Sequence, residues 1–415
     1  MTGVTGACAY LRLWRSALYL HAARRVAVTS TWGTTMTLLE PAHAAPRTEA
    51  RPTTPRLELH VPTALERLHQ LRAALPGTAV HYAVKANPHP VLLRALVEAG
   101  SSFDVASPAE VRACLAAGAR PADLVYSNPI KLRSDVVESA ALGVRLFVVD
   151  SPEETRKVAE AAPGSAVLCR IVTSGSGSDW PLSRKYGCST NEAVDVLRLA
   201  AQLGLEAAGV SFHVGSQQRD PSAWDAPIEA SSRIFSSLRA AGLSPWLLDL
   251  GGGFPAALEG GAPALDAYGA AIRRSLRKRF GSRRPRTIIE PGRSVVADAG
   301  RLVASVVAVV HRGDTRWVYL DAGVFTGLVE TLDEAIRYRL ETDASGPTGP
   351  CVLAGPTCDS ADVLYEKQPV HLPMSLAEGD RVVLTSAGAY TTCYSTVGFN
   401  GFAPLPTELV TGRIP

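Results

Sequence analysis

The sequence has no long uninterrupted hydrophobic run and almost no excess of charge of either sign. No window approaches the roughly 18 consecutive apolar residues that a membrane-spanning helix needs. Lysine and arginine number 42 against 39 aspartates and glutamates, which leaves a formal net charge of +3. So small a surplus argues against a nucleic-acid surface or a basic membrane-binding face. We therefore expect a soluble protein whose partners are small molecules, with no nucleic acid and no membrane.

Paired cysteines are also lacking. The seven cysteines are odd in number and scattered, at Cys8, Cys114, Cys169, Cys188, Cys351, Cys358 and Cys393. None of them forms the C-x-x-C spacing of a zinc site, so no metal is expected, and a disulfide scaffold does not fit. This cysteine usage is typical of a reduced, cytoplasmic protein.

Residues 1–35 do not carry the pattern of an ordered domain. The stretch ACAYLRLWRSALYLHAARR is apolar but interrupted by arginines, and the residues after Arg25 are too rich in serine and threonine for a good signal core. We interpret this segment as a disordered extension or as the result of a start codon set too early, with Met36 as the true start. A secretion signal is the less favoured alternative.

What the chain does contain is a repeated strand-and-helix pattern within 415 residues, 46% of them hydrophobic, enough for two domains. Eight short apolar runs are each followed by an amphipathic stretch. The predicted strands are 81–87, 102–107, 124–129, 146–150, 166–172, 207–215, 245–253 and 286–292. Eight consecutive βα units predict a TIM-type (β/α)8 barrel.

In such barrels functional residues collect at the carboxyl ends of the strands. The unusual residues of this sequence do follow the predicted strands, at Lys85, Asp104, Asn128, Arg170, His213 with Ser216, Gly251 to Gly253, and Glu290 with Arg293. We therefore expect them to share one site. Lys85 on its own is more often a strand-end side chain that reaches solvent, but in a partly desolvated site its amine would have a lowered pKa and could form a Schiff base.

Beyond about residue 300 the pattern changes to strand-like runs separated by glycine and proline, and LVETLDEAIRYRL is the one stretch there that looks helical. The predicted organisation is an extension over 1–35, a strand within 36–59 that joins the β domain, the barrel over 60–299 and a C-terminal β domain over 300–415.

Seven motifs carry a resemblance to a known family. YAVKAN, FDVAS, FHVGSQ, DLGGGFP, EPGR, GPTCDSAD and GAYTTCYSTVGFNGF occur in this order between about residues 57 and 405. The sequence resembles the fold-type III pyridoxal-phosphate (PLP) decarboxylases of ornithine, diaminopimelate and arginine, most of all ornithine decarboxylase. The resemblance implies an alanine racemase-like barrel with the C-terminal β-sandwich or β-barrel of these decarboxylases.

The resemblance also implies roles for single residues toward PLP. Lys85 would anchor the cofactor, Glu290 would face the pyridine nitrogen, and His213 would stack on the ring. The phosphate would be held by a larger set that includes the glycine loop, at Ser216, Gly251, Gly252, Gly253, Gly292, Arg293 and Tyr390. Asp104 and Arg170 match positions near the lysine and the active-site wall.

Other matches imply a homodimer with shared active sites. Cys358 matches a cysteine that comes from the partner subunit and protonates the substrate carbon after CO2 has left. Lys185 and Asp362 match an ion pair at the family's interface. The dimer would then be the minimum active unit.

The substrate implied is a basic amino acid. Asp359 beside Cys358 suits a distal ammonium, and either Asp333 or Glu334 lies near the family's second acidic position. Phe399 and Asn400 match residues that line the site. We expect a carboxy-lyase that converts L-ornithine to putrescine and CO2 in polyamine biosynthesis. Lysine decarboxylation to cadaverine and diaminopimelate decarboxylation are the alternatives.

A regulatory homologue without activity is the alternative from a different class. Such proteins typically lose the lysine, the glutamate or the cysteine, whereas this chain keeps Lys85, Glu290 and Cys358. A racemase of the same barrel type is disfavoured, because the Cys358 and Asp359 motif would have no purpose there.

Overall fold

The structure is a computed structural model, and it describes residues 53–412. The predictions for residues 1–35, including Cys8 and the alternative start at Met36, lie outside these residues. Among residues 53–412 no helix has both the length and the hydropathy needed to cross a membrane.

Strands and helices alternate over the first part of the described chain, and strands dominate the last part. The strands are β1 (Arg56–Leu59), β2 (Thr78–Ala83), β3 (Ser102–Val105), β4 (Leu124–Tyr126), β5 (Leu146–Val149), β6 (Ala166–Arg170), β7 (Ser178–Trp180), β8 (Glu206–Ser211), β9 (Ser216–Gln218), β10 (Leu247–Asp249), β11 (Arg286–Ile289), β12 (Gly300–Arg312), β13 (Thr315–Leu320), β14 (Leu340–Thr342), β15 (Thr348–Ala354), β16 (Val363–Pro373), β17 (Arg381–Leu384) and β18 (Thr407–Leu409). The α-helices are α1 (Val61–Ala74), α2 (Pro90–Glu98), α3 (Pro108–Ala116), α4 (Arg133–Ala141), α5 (Pro152–Ala161), α6 (Thr190–Gln202), α7 (Asp225–Ala240), α8 (Leu265–Phe280) and α9 (Arg293–Val296).

Eight parallel strands close into a barrel in the order β10-β11-β2-β3-β4-β5-β6-β8. All eight predicted strands are present, and each is shorter than predicted at its carboxyl end. A small apolar cluster from six neighbouring strands packs within the barrel, at Val125, Val148, Leu168, Ala208, Leu247 and Ile288. The barrel is therefore a packed core that leaves its carboxyl-terminal rim for function.

Local sequence signals explain how the helices are set against the barrel. At α3 the Ser107 hydroxyl accepts the Glu110 N–H at 3.2 Å, Pro108 occupies the first helical position, and Gly118 leaves the helix with φ +100°. The Glu110 carboxylate turns to the Ala106 N–H at 2.6 Å, so the cap fixes the loop that leaves β3 as well as the helix.

The C-terminal part forms a mixed sheet in the order β14-β17-β12-β13-β15-β16, and β1 joins it antiparallel to β12 and parallel to β18. The predicted strand contributed by residues before the barrel is therefore present within residues 56–59. The helix predicted for LVETLDEAIRYRL is wrong. Val329–Glu334 is a 3-10 segment broken at Leu332 and Asp333, and Asp333 takes a left-handed φ of 54°.

Candidate active site

A cavity of about 620 Å³ opens at the carboxyl ends of the barrel strands. The side chains that line it come from six different strand-end segments and from the C-terminal domain, and they include Lys85, Arg170, His213, Ser216, Glu290 and Tyr390. Lys85, Arg170, His213, Ser216 and Glu290, which follow different strands, thus line one cavity.

Lys85 lies in a short 3-10 turn over Val84–Ala86 that follows β2 directly. Its Nζ is 2.7 Å from Oδ2 of Asp104, whose side chain is almost fully buried, while the lysine side chain is 48% exposed toward the cavity. Desolvation lowers the pKa of Lys85, but Asp104, Tyr390 and Glu290 together raise it above the ordinary value. The predicted lowering of this pKa is therefore wrong, because the carboxylates outweigh the burial.

Glu290 follows β11, is buried and lines the same cavity as Lys85. Its Oε1 accepts a short hydrogen bond from the Ser127 hydroxyl, and within residues 53–412 it forms no salt bridge. Burial raises the pKa of Glu290 well above its usual range, and the charges of Asp104 and Asp249 raise it further. The cationic partner that a buried carboxylate needs is thus not supplied by a side chain in contact with it, which suits a protonated ring nitrogen.

His213 lies after β8 on the cavity wall. The N–H of Gly215 donates to its Nδ1 at 3.1 Å. Burial lowers the pKa of His213 to about 3, and the positive charges of Arg170 and Lys85 act in the same direction. A neutral imidazole held from one nitrogen presents a flat face, which fits stacking on an aromatic ring.

Arg293 provides the buried positive charge of the site. Its Nη2 is 2.6 Å from Glu330 Oε1 and 3.1 Å from the Ser216 hydroxyl, and its guanidinium carbon lies 5.0 Å from the centre of the Tyr390 ring. Its Nη1 is buried and has no hydrogen-bond partner among the described residues. An unsatisfied guanidinium nitrogen beside a serine and a tyrosine is a suitable binding group for a phosphate.

The glycine loop after β10 permits close approach of the backbone. A Cβ on Gly252 would lie 2.6 Å from the Glu290 carbonyl oxygen, and one on Gly253 would lie 2.5 Å from that of Gly215. Within residues 53–412 the N–H groups of Gly252 and Gly253 make no hydrogen bond, whereas that of Gly251 donates to Asp249 at 2.9 Å. The N–H groups of Gly252 and Gly253 can therefore bind an anion, whereas the N–H of Gly251 is already engaged by Asp249.

The residues present therefore fit PLP at both ends. A carboxyl group that lacks a contacting cation suits the ring nitrogen, and Arg293, Ser216 and the free N–H groups suit the phosphate. Gly292 also leaves room at this end, since a Cβ there would meet the Tyr390 hydroxyl at 2.8 Å.

A second group of predicted residues does not line this cavity. Cys358 and Asp359 are exposed, and Asn400 is held beside them in the C-terminal domain. The Asn400 Oδ1 accepts the Cys358 N–H at 3.3 Å and its thiol at 3.6 Å, and Phe399 packs against Phe325 with ring centres 4.7 Å apart and planes tilted by 42°. One chain therefore holds the cysteine outside its own cofactor cavity.

Asp333 and Glu334, the two candidates for the family's second acidic substrate-binding position, do not line this cavity. The Asp333 side chain is 93% exposed and pairs with Lys367, and the Glu334 carboxylate accepts the N–H groups of residues 366–368 and pairs with Arg337. The acidic side chain of this segment that does line the cavity is Glu330. The error comes from predicting a regular helix, because the break at Leu332 rotates the following residues away.

The two residues of the predicted interface pair, Lys185 and Asp362, occupy different surroundings in the single chain. Lys185 lines the cavity with its Nζ 5.0 Å from the centre of the Tyr186 ring, and the guanidinium of Arg170 lies 5.6 Å from that centre. Asp362 is buried in its own domain, where it accepts the N–H groups of Val324 and Thr357. These two contacts leave acceptor capacity on the carboxylate, so the pairing of Lys185 with Asp362 across an interface stays a prediction.

Sequence reasoning missed three residues of the site: Asp249, Ser127 and Glu330. Asp249 and Ser127 were visible as polar residues at the ends of predicted strands, in DLGGG and YSNP. Glu330 carried no such signal, because its position depends on the 3-10 geometry of its segment.

Comparisons with known proteins agree with this geometry. Residues 63–297 match the family described as pyridoxal-dependent decarboxylase, pyridoxal binding domain. A lysine/ornithine decarboxylase of Selenomonas ruminantium is 35% identical over 85% of this chain and 89% of its own length. The lysine decarboxylase structure of that organism solved with PLP has a TM-score of 0.80 at 35% identity, covering 86% of this chain and 92% of its own.

A third similar protein was solved with a diamine. The lysine/ornithine decarboxylase of Vibrio vulnificus complexed with putrescine has a TM-score of 0.78 at 32% identity, covering 86% of this chain and 94% of its own.

Proposed function

The chain belongs to the pyridoxal-dependent decarboxylases that act on basic amino acids, and from this premise we propose that it converts L-ornithine to putrescine and CO2, with L-lysine as a second substrate. The observation that carries the choice of a diamine precursor is the buried carboxylate of Glu330 on the cavity wall. A polyamine-forming role and a cytoplasmic location belong to the same proposal, and the free thiols of the described chain suit that location.

PLP supplies the electron sink that accepts the electrons left when the carboxylate departs as CO2. We assign Lys85 to hold the cofactor, Glu290 to bind its ring nitrogen and His213 to cover the ring face. Arg293, Ser216, Tyr390 and the glycine loop would hold the phosphate. Since Asp104 raises the pKa of Lys85, the lysine must give up a proton before it can act as a nucleophile.

Glu330 suits the distal ammonium of the substrate. One of its oxygens pairs with Arg293, and the other, Oε2, is buried without a hydrogen-bond partner. A buried acceptor of this kind gains from an ammonium donor and would repel a second carboxylate, which disfavours diaminopimelate. Arg184 and Lys185 also line the cavity, and they suit the α-carboxylate.

We propose that the rest of the site comes from a second copy of the chain. Cys358, Asp359, Phe399 and Asn400 lie together in the C-terminal domain, outside the cavity of their own chain. In a homodimer with shared sites, Cys358 would deliver a proton to the substrate carbon and Asp359 would add a second carboxylate for the ammonium.

The first experiment is CO2 release by the PLP-loaded protein from L-ornithine, L-lysine, L-arginine and meso-diaminopimelate, compared as kcat/KM. We expect ornithine first and lysine next, within about 10- to 200-fold, since one methylene is worth about 1–3 kcal/mol. Preference for diaminopimelate would contradict the role of Glu330 and assign the basic lining residues to a second carboxylate.

A pair of variants tests the ammonium site directly. Glu330→Gln should lower kcat/KM for ornithine by about 10- to 100-fold, because a charge-assisted hydrogen bond is worth about 1.5–3 kcal/mol. Asp333→Asn is the matched control, because it removes a neighbouring carboxylate that is exposed to solvent. Equal effects of the two variants would contradict the proposal. PLP affinity is measured in both, since Glu330 also contacts Arg293.

A protein that releases CO2 from none of the four amino acids would favour the regulatory homologue. Absorbance then separates the possibilities: a chain that holds PLP on Lys85 is yellow and loses this absorbance on borohydride reduction, whereas Lys85→Ala should show no covalently retained cofactor.

A further inference from the structure

A second buried carboxyl group stands behind Glu290. Asp249 is the last residue of β10, which pairs with β11 so that Asp249 lies opposite Ile288, two residues before Glu290. Its side chain has no exposure and does not line the cavity. The ends of two neighbouring strands thus place one carboxyl at the cavity wall and another directly behind it.

Hydrogen bonds tie Asp249 both to the glycine loop and to Glu290. Its Oδ1 accepts the Gly251 N–H at 2.9 Å, and its Oδ2 accepts the Ser211 hydroxyl at 3.2 Å. The Gly251 carbonyl in turn accepts the Glu290 N–H at 2.9 Å. Asp249 therefore fixes the backbone that carries Glu290, while its charge remains close to that carboxyl group.

The two carboxyl groups have no basic side chain in contact within residues 53–412. Asp104, a third buried carboxylate, pairs with Lys85, and the groups that face Asp249 and Glu290 are otherwise the hydroxyls of Ser211 and Ser127 and the Gly251 N–H. Burial raises the pKa of Asp249 to about 6, although hydrogen bonds from Gly251 and Glu290 lower it. The pair thus carries less negative charge without cofactor than two exposed carboxylates would.

We propose that Asp249 is a positioning residue that acts through Glu290, by placing a second negative charge behind it to favour a protonated ring nitrogen of PLP. In the cofactor-free protein the two neighbouring buried carboxyl groups destabilise the folded state. The protonated ring nitrogen of bound PLP would offset this destabilisation. The inference rests on the proposed role of Glu290.

The two buried carboxyl groups determine whether the stability of the cofactor-free protein rises or falls with pH. A carboxyl group whose folded pKa lies above its unfolded value favours the folded state when protonated and disfavours it when ionised. The cofactor-free protein should therefore lose stability as pH rises from about 4 through 6 and above. Removing the charge of Asp249 should restore part of this stability while weakening the hold on PLP.

Asp249→Asn tests the proposal, because an amide oxygen can still accept the Gly251 N–H. At about pH 8 we expect the cofactor-free variant to melt roughly 2–4 °C above the wild type and its PLP dissociation constant to rise about tenfold. Ser211→Ala is the matched control: it removes a neutral hydrogen bond to the same carboxylate, so it should lower the melting temperature and change the dissociation constant less than about threefold.

Either a lower melting temperature of cofactor-free Asp249→Asn or an unchanged PLP dissociation constant would overturn the proposal and leave Asp249 as an anchor for the glycine loop. If the variant does not fold, the wild type provides the test: between about pH 5.5 and 8 the cofactor-free protein should lose more melting temperature than the PLP-loaded protein. Equal losses would overturn the proposal. None of these measurements requires turnover, so an inactive protein would refute the proposed function alone.

Discussion

The barrel rim and the C-terminal loop around Cys358 are built in opposite ways. At the rim, Lys85, Asp104, Glu290 and Arg293 come from the ends of three strands, β2, β3 and β11, and except for Lys85 they are buried or nearly so. In the C-terminal domain Cys358, its neighbour Asp359 and Asn400 are exposed, and Asn400 contacts Cys358. One chain thus holds a buried cofactor cavity and, outside that cavity, an exposed group that we propose serves a second copy of the chain.

The difference in burial fits the proposed division of the chemistry between the barrel rim of one chain and the Cys358 loop of another. A cofactor site gains from burial, because charge interactions are stronger where water is excluded. A residue delivered to another subunit must be exposed on its own chain until the dimer forms. The comparison therefore predicts that variants of the rim affect cofactor binding and turnover together, while variants of the loop affect chemistry without affecting PLP affinity.

Lys85→Ala should have the largest effect. We expect kcat to fall by more than about a thousandfold, because the other lysine that lines the cavity, Lys185, lies over the Tyr186 ring and not at the end of β2. The measurement is CO2 release together with cofactor absorbance. Lys367→Ala, which removes an exposed lysine far from the rim, is the control. Activity within about tenfold of the wild type would disprove the assignment of Lys85.

Mixing two impaired chains and measuring amine formation above their residual activities tests whether the barrel rim and the Cys358 loop meet across an interface. Lys85→Ala and Cys358→Ala chains that exchange freely should regain about a quarter of the active sites, since half of the dimers are mixed and one site in each is intact. Each chain incubated with itself is the control. If exchange is proven by labelled chains and activity does not return, both residues act within one chain.

Cys358→Ala should reduce the rate less than Lys85→Ala and change the product. Without the thiol, protonation at the substrate carbon slows and part of the turnovers should end as aldehyde and pyridoxamine phosphate, while PLP affinity stays within about twofold. The ratio of amine to aldehyde is measured by mass spectrometry. Cys358→Ser, which keeps the size and loses most of the acidity, should resemble the alanine variant; an unchanged ratio in both would remove Cys358 from the mechanism.

The barrel rim was largely predictable from the sequence. Strand ends, the lysine in YAVKAN and the arginine in EPGR follow from a repeat whose geometry is regular, so side chains distant in sequence meet at one edge. Glu330 was not predictable, because its direction depends on a kink at Leu332 and Asp333 that no periodicity signals. The sign of the Lys85 pKa also escaped prediction, since it depends on a 2.7 Å contact with Asp104.

Asn400→Ala should have the smallest effect and addresses the loop alone. The Asn400 carbonyl oxygen accepts the Cys358 N–H at 3.3 Å and its thiol at 3.6 Å, so this side chain fixes the direction of the thiol. Losing hydrogen bonds worth about 0.5–1.5 kcal/mol each should raise the aldehyde fraction by roughly two- to tenfold, with PLP affinity unchanged. Asn400→Asp, which keeps an acceptor at the same position, should raise the aldehyde fraction less than Asn400→Ala. If mass spectrometry shows the same ratio of amine to aldehyde in all three proteins, Asn400 does not orient the thiol, and the division between a buried cofactor site and an exposed, pre-organised proton donor loses its second half.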